Sequence, residues 1–150
     1  MTEISNDQSP KSETDNSKKT VLVVDDEASI LKLTEIFLNR NGFNVITARD
    51  GEEALATFLN PENSTIDLII TDNNMPRMSG VELIQRVRET NSRIPIFLAS
   101  GDFFGGLSEK ETQSKAEEVG ATVGIAKPFD IKEVVNLSKQ LLEKAENRTS

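Results

Sequence analysis

A doubly wound α/β fold, a five-stranded parallel sheet with five helices on its two faces, is predicted by three features of the sequence. Five short apolar runs recur along the chain. They alternate with segments of helical spacing, and most of those segments open on Ser or Asp followed three residues later by Glu. Runs that stay apolar without alternation belong to strands covered on both faces, and regular strand–helix alternation makes such a sheet parallel.

The elements follow in order. VLVV (21–24) is the first strand. Residues 27–41 place Ile30, Leu33 and Phe37, with Leu31 and Leu38, at helical spacing, and Asn41-Gly42 ends the helix. FNVITA (43–48) is the second strand, and Asp50 with Glu53 forms a capping box that opens a helix through Leu59. A Pro-Glu-Asn-Ser turn (61–64) precedes the third strand, IDLIIT (66–71). Ser79 and Glu82 cap the next helix, which carries Val81, Leu83, Ile84 and Val87. IPIFLA (94–99) is the fourth strand, and Ser108 with Glu111 caps a helix that runs to Val119-Gly120. ATVGIA (121–126) is the fifth and weakest strand, interrupted by Gly124. Asp130 and Glu133 cap a last helix with Ile131, Val134, Val135, Leu137, Leu141 and Leu142.

Composition narrows the chemistry. With 150 residues and 36% hydrophobic content the chain suits one domain with a proper core, read as residues 20–146. Residues 1–19 are polar and read as a disordered tail, and residues 147–150 as a short C-terminal one. No run approaches the roughly 18 apolar residues that span a bilayer, and the N-terminus lacks the apolar core of a signal peptide. Membrane insertion is therefore not expected, and the expected compartment is the cytoplasm. There is no cysteine and no histidine, which excludes thiol and imidazole chemistry and the zinc sites built on them. A net charge of −8 without a basic stripe argues against direct nucleic-acid binding.

In a parallel sheet of this kind, functional groups gather beyond the carboxyl ends of the strands. Strand one ends in Asp25-Asp26-Glu27, strand three in Asp72, strand four in Ser100-Gly101 and strand five in Lys127-Pro128. Several carboxylates, a hydroxyl and an ammonium thus meet in one crevice. Two carboxylates about 4 Å apart repel by about 4 kcal/mol at an effective dielectric of about 20, so a cluster calls for a cation or for raised pKa values. Oxygen-only ligands select a hard ion such as Mg²⁺. A metal, an ammonium and a rigidly held carboxylate are equipment for phosphoryl transfer, with Asp72 as the attacking group. Taken singly, each piece has an ordinary structural explanation: a helix start for 25–27, a turn for Asp72, loop chemistry for Ser100-Gly101, and an anchored turn for 127–129. The conjunction carries the inference.

That conjunction resembles the receiver domain of bacterial two-component response regulators, over about residues 20–145. The residues that carry it are VLVVDDE (21–27), DLIITDNNMPRMSG (67–80), IPIFLASG (94–101) and KPF (127–129). The resemblance implies a flavodoxin-like sheet of order 2-1-3-4-5. It makes Asp72 the acceptor of a phosphoryl group from a phosphohistidine on a sensor histidine kinase or phosphotransfer protein. It implies Mg²⁺ held directly by Asp26, through water by Asp25, and by Asp72 and the backbone carbonyl of Asn74. It gives Ser100, next to Gly101, and Lys127 the phosphoryl contacts, and makes the Lys127-Pro128 bond cis. Asn74 and Asp102 would flank the path of an attacking water.

Two features depart from the family's pattern. Where its members carry an aromatic ring or His on strand five, this chain has Gly124. The segment after strand four, GDFFGGL (101–107), is longer and more apolar than usual. A loop carrying Phe103 and Phe104 is therefore expected to replace the missing ring in the switch, offering both aromatics beside the fourth helix; the alternative is that one Phe caps the core and the loop is otherwise a longer turn. The reading reached is a single-domain response regulator, because the sequence ends about one helix after Lys127. Its output passes to a protein target or, alternatively, the phosphoryl group moves on to a histidine phosphotransfer protein. It is not an enzyme beyond its own phosphorylation and dephosphorylation. A receiver cut from a longer hybrid kinase and a degenerate receiver that signals without phosphate are further alternatives. A Mg²⁺-dependent aspartyl phosphatase fits less well, since its acids usually form a D-x-D and it carries a cap insertion.

Overall fold

The computed structural model describes residues 18–63 and 65–149. The polar tail expected over 1–19 thus lies outside the described residues except for Lys18 and Lys19, as does Ser150. The strands are β1 (Thr20–Val24), β2 (Asn44–Ala48), β3 (Leu68–Asp72), β4 (Ile96–Ser100) and β5 (Val123–Ala126). The helices are α1 (Ala28–Arg40), α2 (Gly51–Leu59), α3 (Gly80–Thr90), α4 (Glu109–Glu118) and α5 (Ile131–Thr149), with one 3₁₀ turn at Pro61–Asn63. All strand pairs are parallel, in the order β2-β1-β3-β4-β5. No helix among the described residues is long and apolar enough to cross a membrane.

The three central strands are buried along their whole length, which their unbroken apolar runs require. Side chains alternate across the sheet. Leu22, Val24, Ile69, Ile96 and Leu98 meet residues of α2, α3 and α4 on one face. Val21, Val23, Leu68, Ile70 and Phe97 meet α1 and α5 on the other.

β1 starts one residue earlier than the sequence reading, at Thr20, while the limits of the other four strands, where they differ, shift by one or two residues towards the carboxyl end. In β3, pairing to β1 begins at Val21↔Leu68, because Asp67 turns back to Thr20: its carboxylate accepts the Thr20 N–H at 2.9 Å. The strand then runs through Asp72, which is its last member rather than the first residue of a turn. In β4, Ile94 and Pro95 precede the ladder, the Ile94 N–H going to the Asn91 side chain at 2.9 Å. In β5, pairing to β4 starts only at Val123.

The capping boxes at Ser79–Glu82 and Ser108–Glu111 are reciprocal as expected. The other two are built differently. Asp50 accepts the Glu53 N–H, but the Glu53 carboxylate returns to Arg49 rather than Asp50. The Asp130 carboxylate accepts from Lys132, while the Glu133 N–H bonds the Asp130 carbonyl. Backbone angle decides which N–H a short carboxylate reaches, and sequence spacing alone does not fix that angle.

α3 starts hard against the end of β3. A Cβ at Gly80 would collide with the carbonyl oxygen of Asp72 and stand 2.9 Å from Asn73 Cα. Glycine there lets the helix close over the strand end that carries the carboxylate. Gly80→Ala is expected to lower stability by about 1–3 kcal/mol, the usual cost of overpacking. Urea denaturation measures it, and an unchanged midpoint would show that α3 can back away from β3 freely.

Candidate functional site

The end of β3 is pinned by its backbone before its side chain is considered. The Asn73 N–H bonds Ala99 O at 3.0 Å, the Gly80 N–H bonds Asn73 O at 3.0 Å, and the Thr71 hydroxyl donates to Asp72 O at 2.8 Å. The Asp72 side chain is 7% exposed. On the neighbouring strand the chain continues past β1 into Asp25, 6% exposed, and Asp26, which is exposed. Asp25 is oriented by accepting the Glu27 N–H on Oδ1 at 2.9 Å. Carboxylate oxygens of Asp25, Asp26 and Asp72 all lie within 4.8 Å of one another.

One ammonium answers this charge. Lys127 Nζ lies 2.8 Å from Asp72 Oδ1 and 3.6 Å from Asp25 Oδ2. It is brought there by β5, whose exit is fixed by the Lys127 N–H bonding Ser100 O at 3.1 Å, and it precedes a cis bond to Pro128. Burial raises the Asp72 carboxyl above the usual carboxylate range; Lys127 opposes the shift, and Asp25 and Asp26 add to it. Burial works against the Lys127 charge, but its bond to Asp72 and the fields of Asp25 and Asp72 prevail, so the lysine sits above its ordinary value.

Ser100, 1% exposed, ends β4 beside Asp72, with Gly101 exposed after it. Its hydroxyl oxygen accepts the Phe103 N–H at 3.0 Å. Across the mouth, Asn74 Nδ2 donates to Asp102 Oδ2 at 3.0 Å, so the loops after β3 and β4 touch above the acids. The structure thus brings Asp25, Asp26, Asp72, Ser100 and Lys127 to one end of the sheet, with Asn74 and Gly101 at the rim.

Phe103 and Phe104 correct the reading of two offered aromatics and agree with the alternative, in which one Phe caps the core. Only Phe103 is partly exposed; Phe104 is 1% exposed and belongs to the core, so the loop does not offer two aromatic anchors. The reason is Gly124, whose missing side chain leaves the space that Phe104 fills.

Sequence reasoning missed one clip beside the site. Arg77, in the loop after β3, has a φ of 67° and its guanidinium pairs with the Asp50 carboxylate at the start of α2, with Glu52 3.7 Å away. Asp50 lies below the usual carboxylate range, first because of the Glu53 N–H and then because of Arg77. Nothing in the order Pro76-Arg77-Met78 announces a left-handed arginine, because its partner is distant in sequence.

Three carboxylates with oxygens this close, one lysine, and no nitrogen or sulfur donor suit a small hard cation, so the residues fit Mg²⁺. The response regulator receiver domain model matches residues 21–139. The chain belongs to the response regulator receiver family. Receiver domains are phosphoryl-accepting signalling modules rather than conventional enzymes; they bind Mg²⁺ at an acidic pocket and interact with histidine kinases or phosphotransfer proteins. The alkaline phosphatase synthesis transcriptional regulatory protein PhoP of Bacillus subtilis (strain 168) is 36% identical over 128 residues, 85% of this chain and 50% of that protein. This receiver chain spans about half the length of the curated relatives it matches. Among solved structures, the chemotaxis response regulator CheY4 of Vibrio cholerae superposes with a TM-score of 0.69 at 32% identity, covering 82% of this chain and 98% of that one. CheY of Borrelia burgdorferi, solved with CheX, beryllofluoride and magnesium, gives 0.68 at 30% identity over 83% and 89% of the two chains.

The raised Asp72 carboxyl has a consequence for stability. A folded-state pKa above the unfolded one means the folded receiver binds the proton more tightly, so stability falls as pH rises through that interval and stays reduced at neutral pH. Without divalent cations, Asp72→Asn is expected to melt several degrees above wild type at neutral pH. Adding Mg²⁺ should narrow the gap by stabilising wild type through binding. Thermal melts decide it; a lower melting temperature for the variant would mean that Lys127 more than offsets burial and repulsion.

Proposed function

We propose that this receiver takes a phosphoryl group from a phosphohistidine onto Asp72 and signals through the resulting change in its surface. The carrying observation is the Asp72 carboxylate, fixed at a strand end, 2.8 Å from Lys127 and clustered with Asp25 and Asp26. An Asp72 oxygen attacks phosphorus, the P–N bond breaks, and the electron pair leaves with the imidazole of the donor. Lys127 moves from the free carboxylate towards the phosphoryl oxygens, and the Ser100 hydroxyl donates to another. Asp26 and Asp72 would hold Mg²⁺ directly and Asp25 through water, with the Asn74 carbonyl completing the set. When bound, the ion neutralises charge on the transferring oxygens.

A groove of about 490 Å³ opens beside Lys127, lined by Ile30, Leu33, Pro128 and Phe129. An apolar mouth next to the acceptor suits docking of a helical phosphohistidine donor. Output is proposed to run through a protein partner, with onward transfer to a histidine phosphotransfer protein as the alternative. A net charge of −8 argues against the chain's own surface holding duplex DNA.

Mass spectrometry after incubation with acetyl phosphate and Mg²⁺ tests the acceptor. Wild type is expected to gain one base-labile phosphoryl group, which is lost with chelator and in Asp72→Asn; label persisting in Asp72→Asn would falsify the assignment. Incubation of the phosphorylated chain with a histidine phosphotransfer protein separates the relay role from the terminal one.

The Asn74–Asp102 pair, joined at 3.0 Å across the loops after β3 and β4, is proposed to flank the path of water attacking phosphorus. Two polar groups there can orient that water, so hydrolysis is proposed to be fast. Asn74→Leu should slow decay of the phosphoryl group several-fold in a time course. Decay at the wild-type rate would remove the pair from the mechanism.

A further inference from the structure

At position 124, β5 lacks a side chain on the sheet face that α4 covers. Gly124 pairs with Leu98, which lies on that face. A Cβ at Gly124 would stand 2.8 Å from Ala116 Cβ, 2.9 Å from Thr112 O and 3.0 Å from Phe104 Cζ. Real Cβ atoms do not come that close, so the glycine is a seat for α4 and for the tip of the Phe104 ring. The aromatic ring over β5 is supplied by the loop that follows Ser100.

That loop is tied at both ends of a short path. The Phe103 N–H is held by the Ser100 hydroxyl at 3.0 Å. The Phe103 carbonyl accepts Lys115 Nζ of α4 at 2.8 Å, and the same ammonium stands 4.3 Å from the Phe103 ring centre. The Phe103 and Phe104 rings meet edge to face at 5.1 Å. Two residues before Lys115, Gln113 accepts the Gly124 N–H at 3.1 Å and donates to Thr122 O at 2.7 Å. Loop, α4 and the outer edge of β5 are therefore one packed unit, and the Ser100 hydroxyl links it to the acidic pocket.

We propose that Phe104, seated on Gly124 and triggered through the Ser100–Phe103 bond, is the ring that couples the state of Asp72 to the α4–β5 surface. This rests on the phosphoryl-acceptor reading and goes beyond it, since it assigns the transmitting ring and its route. A Ser100 hydroxyl that turns to donate to a phosphoryl oxygen carries its oxygen away from the Phe103 N–H. A partly buried N–H without an acceptor is unfavourable, so the loop must pair again elsewhere. Phe104 is the next residue, and its backbone cannot shift without moving its ring against Gly124 and Ala116.

Amide hydrogen exchange read by mass spectrometry tests this in two arms. The first needs no phosphate. Ser100→Ala removes the acceptor, and exchange of the segment 103–107 is expected to rise by about tenfold, the effect of one ordinary hydrogen bond on a local opening. Unchanged exchange there would overturn the proposal whatever happens at Asp72. The second arm compares wild type, Phe104→Leu and Lys115→Met with and without Mg²⁺ and beryllofluoride, an aspartyl-phosphate mimic. Wild type is expected to change protection in 101–107 and in 123–126. Phe104→Leu should bind the mimic with wild-type affinity yet lose the change in 123–126. Lys115→Met, a surface change that leaves the core intact, should enlarge the change in 101–107. If Phe104→Leu still transmits to 123–126, the ring is not the coupler. Failure of wild type to bind the mimic, with the first arm positive, would refute the acceptor reading and with it the coupling, while leaving the Ser100–Phe103 tether in place.

Discussion

Three carboxylates at the ends of two neighbouring strands, with a single lysine among them, set the terms for the rest of the receiver. Left to itself such a group would spread apart, since each close pair costs about 4 kcal/mol at an effective dielectric of about 20. The strands do not allow it. Asp72 is the last residue of a fully buried strand, and Asp25 follows another one, paired to it in register. Burial that holds the carboxylates rigid also removes the water that would screen them, which is why Asp72 resists ionisation despite the lysine. The site is thus assembled at a cost in stability and is ready to accept positive charge. A hard cation and a lysine that can follow a new anionic group both suit that deficit.

Rigidity is distributed unevenly around the acids. After β3 the backbone is fastened repeatedly: Asn73 to β4, Gly80 against the Asp72 carbonyl, Ser79 in a reciprocal cap, and Arg77 clipped to Asp50 across to α2. A non-glycine residue at a φ of 67° is strained on its own, and the arginine keeps that conformation while its charge is paired with a nearly buried carboxylate. After β4, the Ser100 hydroxyl and the Lys115 ammonium hold Phe103; the loop's other bonds are two short turn bonds of its own, the Asn74–Asp102 contact and the cap of α4.

Much of this was legible in the sequence, and what was not shares one cause. The five strands, the five helices and the acids at strand ends follow from local apolar runs and from caps, because burial on both faces and the needs of helix termini are written in adjacent residues. Phosphoryl-transfer chemistry followed from which strand ends carry acids and which carries lysine, given the rule for open parallel sheets. Arg77 and Gln113 were not legible; a Phe that caps the core was, but not that it is Phe104 or that it sits on Gly124. Arg77 acts on Asp50, Gln113 on the edge of β5, and Phe104 on Gly124. Each partner is distant in the chain, and no local period reports it. The Phe104 case shows the limit best: the absent ring at 124 and the extra aromatics after Ser100 were both visible. That one fills the space left by the other is a statement about packing on a shared sheet face.

The uneven fastening has a mechanical consequence. A dianionic group placed on Asp72, as proposed, would draw on the groups around it, and the side held by fewer bonds would yield first. The loop after β3 cannot yield without unpairing Arg77 from Asp50 and breaking the cap of α3, several interactions at once. In the coupling proposed above, the loop after β4 would yield at the single Ser100–Phe103 bond, and its aromatic residue is already lodged between α4 and β5. On that proposal the fold would keep the residues that could hold a metal still while directing displacement towards α4. The glycine on β5 belongs to that proposed arrangement, because a side chain at 124 would collide with α4 and crowd the Phe104 ring.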